Sequence, residues 1–415
     1  MTGPELAAAA REAADRFGTP LYLYDLVRLD DNARAVAAAF PDPWLRLYSL
    51  KANGLPALVR RICGHGFGAS AVSAGEVVAA GRAGLANAAV ALEGIGKSDA
   101  DLQLAAQAAA DGRPLLWVSL ESAEDAATLA AAVRALGRRG LRQDVLVRLN
   151  PQVVPETSAG LAVGASTSKF GVLPDELSAV VMAGGGPEGP LRWRGLHLHI
   201  GSMLGAVDAW RAAARLGLRL LELQRAALPD FDTLDLGGGF PVADDALSVP
   251  SPARFAAEAA AELGQLPSTA RPGRVAIEPG RAVVAASGWV VGRVLHVRAR
   301  QPALVVLDAG MTELIRPALY GARHPMIALT SHGRPVEANG QTVLVRVDGP
   351  ICESTDTLGE ASLPPLARGD IVVLGLAGAY ASSMFSTYNG RPRPPEIGWD
   401  GRRLIVLRRR GRAVQ

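Results

Sequence analysis

The sequence predicts a (β/α)8 barrel followed by a second, mostly β C-terminal domain. Three observations carry this prediction. Eight short β-rich runs alternate with Ala/Leu/Arg-rich amphipathic stretches over roughly 240 residues, the span such a barrel needs. The G-x-G-x-x-G turn expected of an open, doubly wound sheet is missing after the early strands. Beyond about Arg281 the helical stretches thin out, and strand-like runs with turn-rich connections replace them.

The barrel runs are Trp44–Leu50, Gly68–Ser73, Ala88–Glu93, Pro114–Leu120, Asp144–Asn150, Arg194–Ile200, Thr233–Gly237 and Val275–Glu278. Between them, segments such as Ala123–Leu136 and Ala209–Ala227 place apolar residues at helical spacing. After the barrel, Val283–Arg300, Ala303–Asp308, Gln341–Val347, Asp370–Leu376 and Arg403–Leu407 read as strands. Leu21–Tyr24 is a lone strand before the barrel, placed to join the β domain from the other end of the chain. The expected domains are therefore residues 26–281, and residues 1–25 together with 282–415. Gly184–Pro190 and Asp244–Pro252 read as loops.

Composition narrows the function classes. A chain of 415 residues can bury a large core without disulfide or metal staples. At 49% hydrophobic and 20% charged it is not a disordered chain. A net charge of +3 with scattered basic residues argues against nucleic-acid binding, and the cluster Arg408, Arg409, Arg410 and Arg412 reads as a solvated end. Two cysteines, Cys63 and Cys352, make no disulfide framework, which points to a reducing compartment. Met1–Arg16 lacks the layout of a signal peptide, and no stretch of 18 uncharged apolar residues could span a membrane. A cytoplasmic protein is expected.

Of the 43 basic residues only Lys51, Lys97 and Lys169 are lysine. A bias that strong replaces generic surface lysines with arginine, so a surviving lysine is a candidate for work that needs a deprotonated, nucleophilic amine. Active sites of such barrels lie at the C-terminal ends of the strands. The first strand ends Tyr48-Ser49-Leu50-Lys51, putting an amine at the rim, where it can form a Schiff base with a carbonyl. The sixth ends His197-Leu198-His199-Ile200-Gly201-Ser202, with both histidines on one face. They could ligate a metal, but no local Cys, Asp or Glu at ligand spacing accompanies them, and no metal is expected. The seventh ends in Gly237-Gly238-Gly239, whose backbone can approach an anion closely. The eighth ends Glu278-Pro279-Gly280-Arg281, which supplies a carboxylate, a turn and a cation. The last three ends form a phosphate cup. A Schiff-base lysine, a phosphate cup and a carboxylate to pair with a pyridine nitrogen describe a site for pyridoxal 5'-phosphate.

The motifs then form a series. They are Y-S-L-K-A-N at Tyr48–Asn53, S-K-F-G-V at Ser168–Val172, H-L-H-I-G-S at His197–Ser202 and L-G-G-G-F at Leu236–Phe240. E-P-G-R at Glu278–Arg281, R-P-A-L-Y at Arg316–Tyr320, C-E-S at Cys352–Ser354 and G-A-Y at Gly378–Tyr380 follow. In this order, from Gly18 to about Ile397, the chain resembles the barrel-type pyridoxal phosphate decarboxylases, most closely the diaminopimelate decarboxylase family. The resemblance implies that Lys51 carries the cofactor and that His199 stacks on its ring. It implies that Ser202, Gly238, Gly239, Glu278, Gly280, Arg281 and Tyr380 hold the cofactor. Arg281, Arg316, Tyr320, Glu353 and Tyr380 are implied to bind substrate. Cys352 is implied to be the proton donor, reaching in from the second subunit of a homodimer with shared sites.

The chain departs from the family pattern in places. Ser70 stands where the family's second strand carries an aspartate, and Met203 follows H-I-G-S in place of glutamine. The stretch Glu156–Gly164 looks more like relatives that decarboxylate other amino acids in specialised metabolism. The expected function is decarboxylation of meso-diaminopimelate to L-lysine. The alternatives are the same chemistry on another amino acid, free or carrier-bound, in specialised metabolism, and an inactive homologue that binds a partner protein. Intact Lys51, Glu278 and Cys352 argue against the inactive homologue.

Overall fold

The structure is a computed structural model, and it describes residues 1–157, 159–164, 168–243, 248–330 and 342–412. Residues 244–247 of the expected Asp244–Pro252 loop, Ser158 of the 156–164 stretch and Gln341 lie outside the described residues. The chain separates into two compact units. One is Ala33–Ala243 with residues 248–282, and the other is Met1–Asn32 with residues 283–412.

The lone strand β1 (Leu21–Asp25) precedes the barrel. The barrel strands are β2 (Leu45–Ser49), β3 (Gly68–Ala71), β4 (Val90–Leu92), β5 (Trp117–Leu120), β6 (Gln143–Leu149), β7 (Leu191–Leu198), β8 (Thr233–Asp235) and β9 (Arg274–Ile277). All are parallel to their neighbours, and β9 pairs back onto β2 to close the ring, as the sequence predicts. Leu47, Ala91, Trp117, Leu146 and Ala276, from five of the strands, pack together as a buried cluster. Several returning helices start on a serine N-cap just past a strand end. Ser73, Ser98 and Ser122 accept the backbone N–H of Glu76, Asp101 and Asp125, so each strand–helix junction is fixed by a local hydrogen bond. The capped junctions sit on the rim where the predicted site residues emerge.

The second unit is a nine-stranded sheet. It adds β10 (Gly288–Arg298), β11 (Ala303–Leu307), β12 (Met326–Leu329), β13 (Val343–Asp348), β14 (Thr357–Leu363), β15 (Ile371–Leu374), β16 (Glu396–Trp399) and β17 (Leu404–Arg408). β1 does join it, antiparallel to β10 and parallel to β16. The helix Gly3–Phe17 turns an alanine face (Ala7, Ala10, Ala14) onto Leu21, Trp289, Val373 and Ile397 of this sheet.

Three expectations are corrected. Val283–Arg300 is not one strand: residues up to Ser287 form helical turns, tied by Ser287 Oγ donating to Val284 O at 2.8 Å, and β10 begins at Gly288. β12, β14 and β16 were not anticipated. The basic C-terminal cluster is not simply solvated. Arg408 pairs with the fully buried Glu396 at 2.6 Å, and Arg410 donates to the carbonyls of Phe17, Gly18 and Pro20.

Candidate active site

At the end of β2 the chain makes a short 3-10 turn, Leu50–Ala52, held by Tyr48 Oη donating to Asn53 O at 3.1 Å. Ser49 N–H donates to Pro279 O at 3.2 Å and ties this end to the loop after β9. Lys51 thereby lines a cavity of about 350 Å3 with Ser70, Glu93, His197, His199 and Glu278. The other two lysines are otherwise engaged. Lys97 is buried against Asp125 at 3.0 Å, and Lys169 lies 5.3 Å from the ring centre of Phe170. Cys63 ends the helix Pro56–Cys63, and burial pushes its thiol up to about 11, which suits an inert packing residue.

The three loops of the predicted cup meet. Gly237 and Gly239 take φ values of +67° and +99°, and a Cβ on Gly238 would come within 2.4 Å of Glu278 O. Only glycines allow this approach. Phe240 then anchors the loop in an aromatic cluster, 5.6 Å from Phe40 and 5.2 Å from Phe255, ring centre to centre. Arg281 Nη2 donates to Ser202 Oγ at 3.2 Å across the cup. Gly238 N–H donates to His199 Nδ1 at 3.2 Å, so that nitrogen is an acceptor. Burial and the nearby charges of Lys51 and Arg148 hold the His199 pKa well below the usual histidine value. A neutral, flat ring at this position suits stacking on an aromatic cofactor.

Glu278 is buried beneath the cup, and its Oε1 has no hydrogen-bond partner among the described residues. Such an oxygen calls for an N–H donor from a bound molecule. With the Lys51 amine and the glycine cup, the residues fit pyridoxal phosphate.

The model of the pyridoxal-dependent decarboxylases, pyridoxal binding domain, matches residues 26–285. Diaminopimelate decarboxylase of Deinococcus radiodurans is 36% identical over 405 residues, which is 97% of this chain and 96% of that one. That of Zymomonas mobilis is 31% identical over 408 residues, 96% and 92% of the two chains. The chain belongs to the diaminopimelate decarboxylase family. In structure it is similar to diaminopimelate decarboxylase from Helicobacter pylori complexed with L-lysine. The TM-score is 0.87 at 28% identity, covering 97% of this chain and 96% of that chain. As a member of this family it is a pyridoxal phosphate-dependent carboxy-lyase acting on an amino acid. No helix among the described residues is long and apolar enough to cross a membrane.

The family's remaining motifs gain physical detail. The S-K-F-G-V segment is pinned to the barrel, with Arg148 pairing with Glu121 at 2.9 Å and lying 4.8 Å from the Phe170 ring centre. Gly171 N–H donates to the other oxygen of Glu121 at 3.1 Å. Arg316, Tyr320, Cys352, Glu353 and Tyr380 belong to the β unit. Arg316 is buried with Nη1 3.2 Å from His324 Nε2, and His324 Nδ1 lies 2.8 Å from Gly375 O. His324 can donate to that carbonyl and accept from the guanidinium, which fixes the aim of Arg316. Tyr320 is half exposed, and Tyr380 holds a φ of +58°. Cys352 and Glu353 are exposed on the turn between β13 and β14, where Glu353 accepts from Tyr388 Oη at 2.6 Å. That turn rests on Asp356, which accepts from Met311 N–H at 2.5 Å and Ile351 N–H at 2.6 Å. A Cβ on Gly349 would fall within 2.4 Å of either Asp356 oxygen, so the turn needs glycine there.

Sequence reasoning missed Glu93, Arg148, His324 and Asp356. It also missed that Glu93 and Glu278 flank His197, their donor atoms lying within 4.8 Å of one another. The two acids come from other strands, which local ligand spacing does not reveal.

Proposed function

We propose that this protein decarboxylates meso-diaminopimelate to L-lysine and carbon dioxide, as a cytoplasmic homodimer with shared sites. The observation that carries the substrate assignment is Arg316, a buried guanidinium aimed by His324, which suits a carboxylate far from the reacting carbon. The likeness to diaminopimelate decarboxylases across nearly the whole chain supports the same choice. Both cysteines are free, in keeping with a reducing compartment.

Bound pyridoxal phosphate supplies an electron sink for the carbanion left when carbon dioxide departs. The chain's own groups do the rest. Residues 26–281 bind the cofactor, with Lys51 as its covalent tether. Ser202, Gly238, Gly239, Gly280 and Arg281 receive the phosphate, His199 covers one face of the ring, and Glu278 accepts from the ring nitrogen. Tyr380 completes the cofactor's contacts. Arg281, Arg316, Tyr320, Glu353 and Tyr380 bind the amino acid, Glu353 taking its distal ammonium. Cys352, from the second copy, returns a proton to the α-carbon. Residues 1–25 and 282–415 form the domain that presents these substrate groups.

Carbon dioxide release measured across diaminopimelate, lysine, ornithine, arginine and glutamate tests the proposal. Release from diaminopimelate alone is expected, and preference for a monocarboxylate overturns it. A second reading, decarboxylation of a carrier-bound amino acid, is favoured by Met203, a departure from the family pattern that holds a φ of +57° beside Ser202. Under that reading none of the free amino acids releases carbon dioxide.

A further inference from the structure

The floor of the barrel cavity holds more charge than the cofactor chemistry uses. His197, near the end of β7, is fully buried. Its Nδ1 lies 2.8 Å from Glu93 Oε2 and 2.9 Å from Ser119 Oγ, and its Nε2 lies 3.3 Å from Glu278 Oε2. Glu93 is held in turn, accepting from Trp117 Nε1 at 2.9 Å. Each ring nitrogen thus faces a carboxylate at ion-pair distance, without the alignment of a hydrogen bond, and a neutral ring would turn a lone pair toward one of the two carboxylates, whereas an imidazolium presents positive charge to both.

We infer that His197 is a positioning residue, an imidazolium gripped between Glu93 and Glu278, which aims the Glu278 carboxylate and leaves its Oε1 for the cofactor's ring nitrogen. The inference rests on the reading of Glu278 as the ring-nitrogen partner.

The remaining groups facing His197 fit this state. Burial opposes its charge, but Glu93 and Glu278 outweigh burial and raise its pKa well above the usual histidine value. Burial alone would raise Glu278, yet the charge of His197, with Lys51 and Ser70, holds it far below the carboxylate range. Asp235, in register with His197 on β8, shifts the other way: burial and the Glu278 charge push its pKa well up. Arg148, in register on β6, is taken up by Glu121. Lys51 and His199 complete the wall. The floor then carries Glu93, Glu278 and one imidazolium, a net charge of −1 that a protonated ring nitrogen cancels. Ser70 pairs in register with Ala91, and a buried carboxylate, Glu93, stands at the end of that next strand.

Two measurements test the inference. In holoenzyme carrying 15N-histidine, with His197 assigned by the signal that His197→Gln removes, both ring nitrogens should show imidazolium shifts at neutral pH and titrate well above the usual histidine range. Glu93→Gln should lower that titration midpoint by at least about one pH unit, the scale of one lost charge partner. Binding of pyridoxal phosphate to the apoprotein should weaken about 10- to 100-fold in Glu93→Gln and in His197→Gln, the usual cost of losing an outer-shell partner. If His197→Gln does not fold, Glu93→Gln and the wild-type titration carry the test. A neutral His197 near pH 7, or a Glu93→Gln protein with unchanged midpoint and cofactor affinity, overturns the inference. If Glu278→Gln leaves cofactor affinity unchanged while His197 still titrates high, the reading of Glu278 fails instead.

Discussion

At the scale of single residues, three lysines share a rare composition and only Lys51 lines the cavity. Lys51→Ala should therefore abolish turnover and the visible absorbance of the bound cofactor. Borohydride reduction followed by peptide mapping should place the label on Lys51, and a label on Lys97 or Lys169 counts against the assignment. Arg316 carries a separate prediction. Losing a buried charge partner costs about 2–5 kcal/mol, which is roughly 30- to 5,000-fold in kcat/KM. Arg316→Ala should impose that loss on diaminopimelate and spare the cofactor's absorbance. The product lysine keeps the distal carboxylate, so its binding should weaken in parallel. Unchanged turnover of diaminopimelate and unchanged lysine binding would mean that Arg316 does not read the distal carboxylate. Lys51, His199 and Glu278 were legible in the sequence because each stands at or just beyond a strand end, where position implies a role. Glu93 was not, because His197 lies 104 residues away in the chain and only the fold brings them together; His324 was not, because the backbone carbonyl that orients its ring, Gly375 O, lies 51 residues on, although Arg316 is only eight residues away.

At the scale of elements, the eight barrel strands were legible because their runs are apolar and bounded by turn residues. β14 was not. It alternates half-buried and exposed positions through Gly359, Glu360 and Ser362, so no continuous apolar run announces it. β12 and β16 have four residues each and directly follow Pro325 and Pro395, so they read as parts of turn-rich loops. Val283–Ser287 misled for the opposite reason: apolar valines and alanines fit a strand or a buried helical turn equally well. The turn between β13 and β14 gives this scale its prediction. Asp356 is its anchor, so Asp356→Ala should release the backbone N–H groups of Met311 and Ile351. The expected cost is about 3 kcal/mol of stability, together with a large fall in kcat because Cys352 and Glu353 ride on the same turn. Chemical denaturation and steady-state kinetics on one preparation would show both effects. Loss of stability with kcat intact would separate the turn from catalysis.

At the scale of the whole molecule, pH and assembly are the levers. His197 binds its proton more tightly folded than unfolded. Below the unfolded value of about 6.5 both states hold the proton and the contribution is fully present. As pH rises from there toward the raised folded value, unfolding releases a proton, and stability should fall by up to about 1.4 kcal/mol per pH unit. Urea denaturation at several pH values between 6.5 and 8.5 should show this slope in the wild type and its loss in His197→Gln. Assembly is tested by mixing inactive Lys51→Ala and Cys352→Ala chains, since a hybrid dimer regains one site with both groups. Mixed dimers without recovered activity would rule out sharing. The place of β1 has a further consequence, for the order in which the protein comes into being. Residues 21–25 leave the ribosome well before both of their partners, for they are hydrogen-bonded on one side to β10 and on the other to β16. At about 5–20 residues per second the second partner emerges roughly 20–75 s after the first strand. Until β10 emerges, after the barrel sequence, Leu21, Leu23 and their neighbours have no strand on either side, and until β16 emerges one edge stays open. Nascent chains stalled before residue 396 should thus be the species that chaperones must shield.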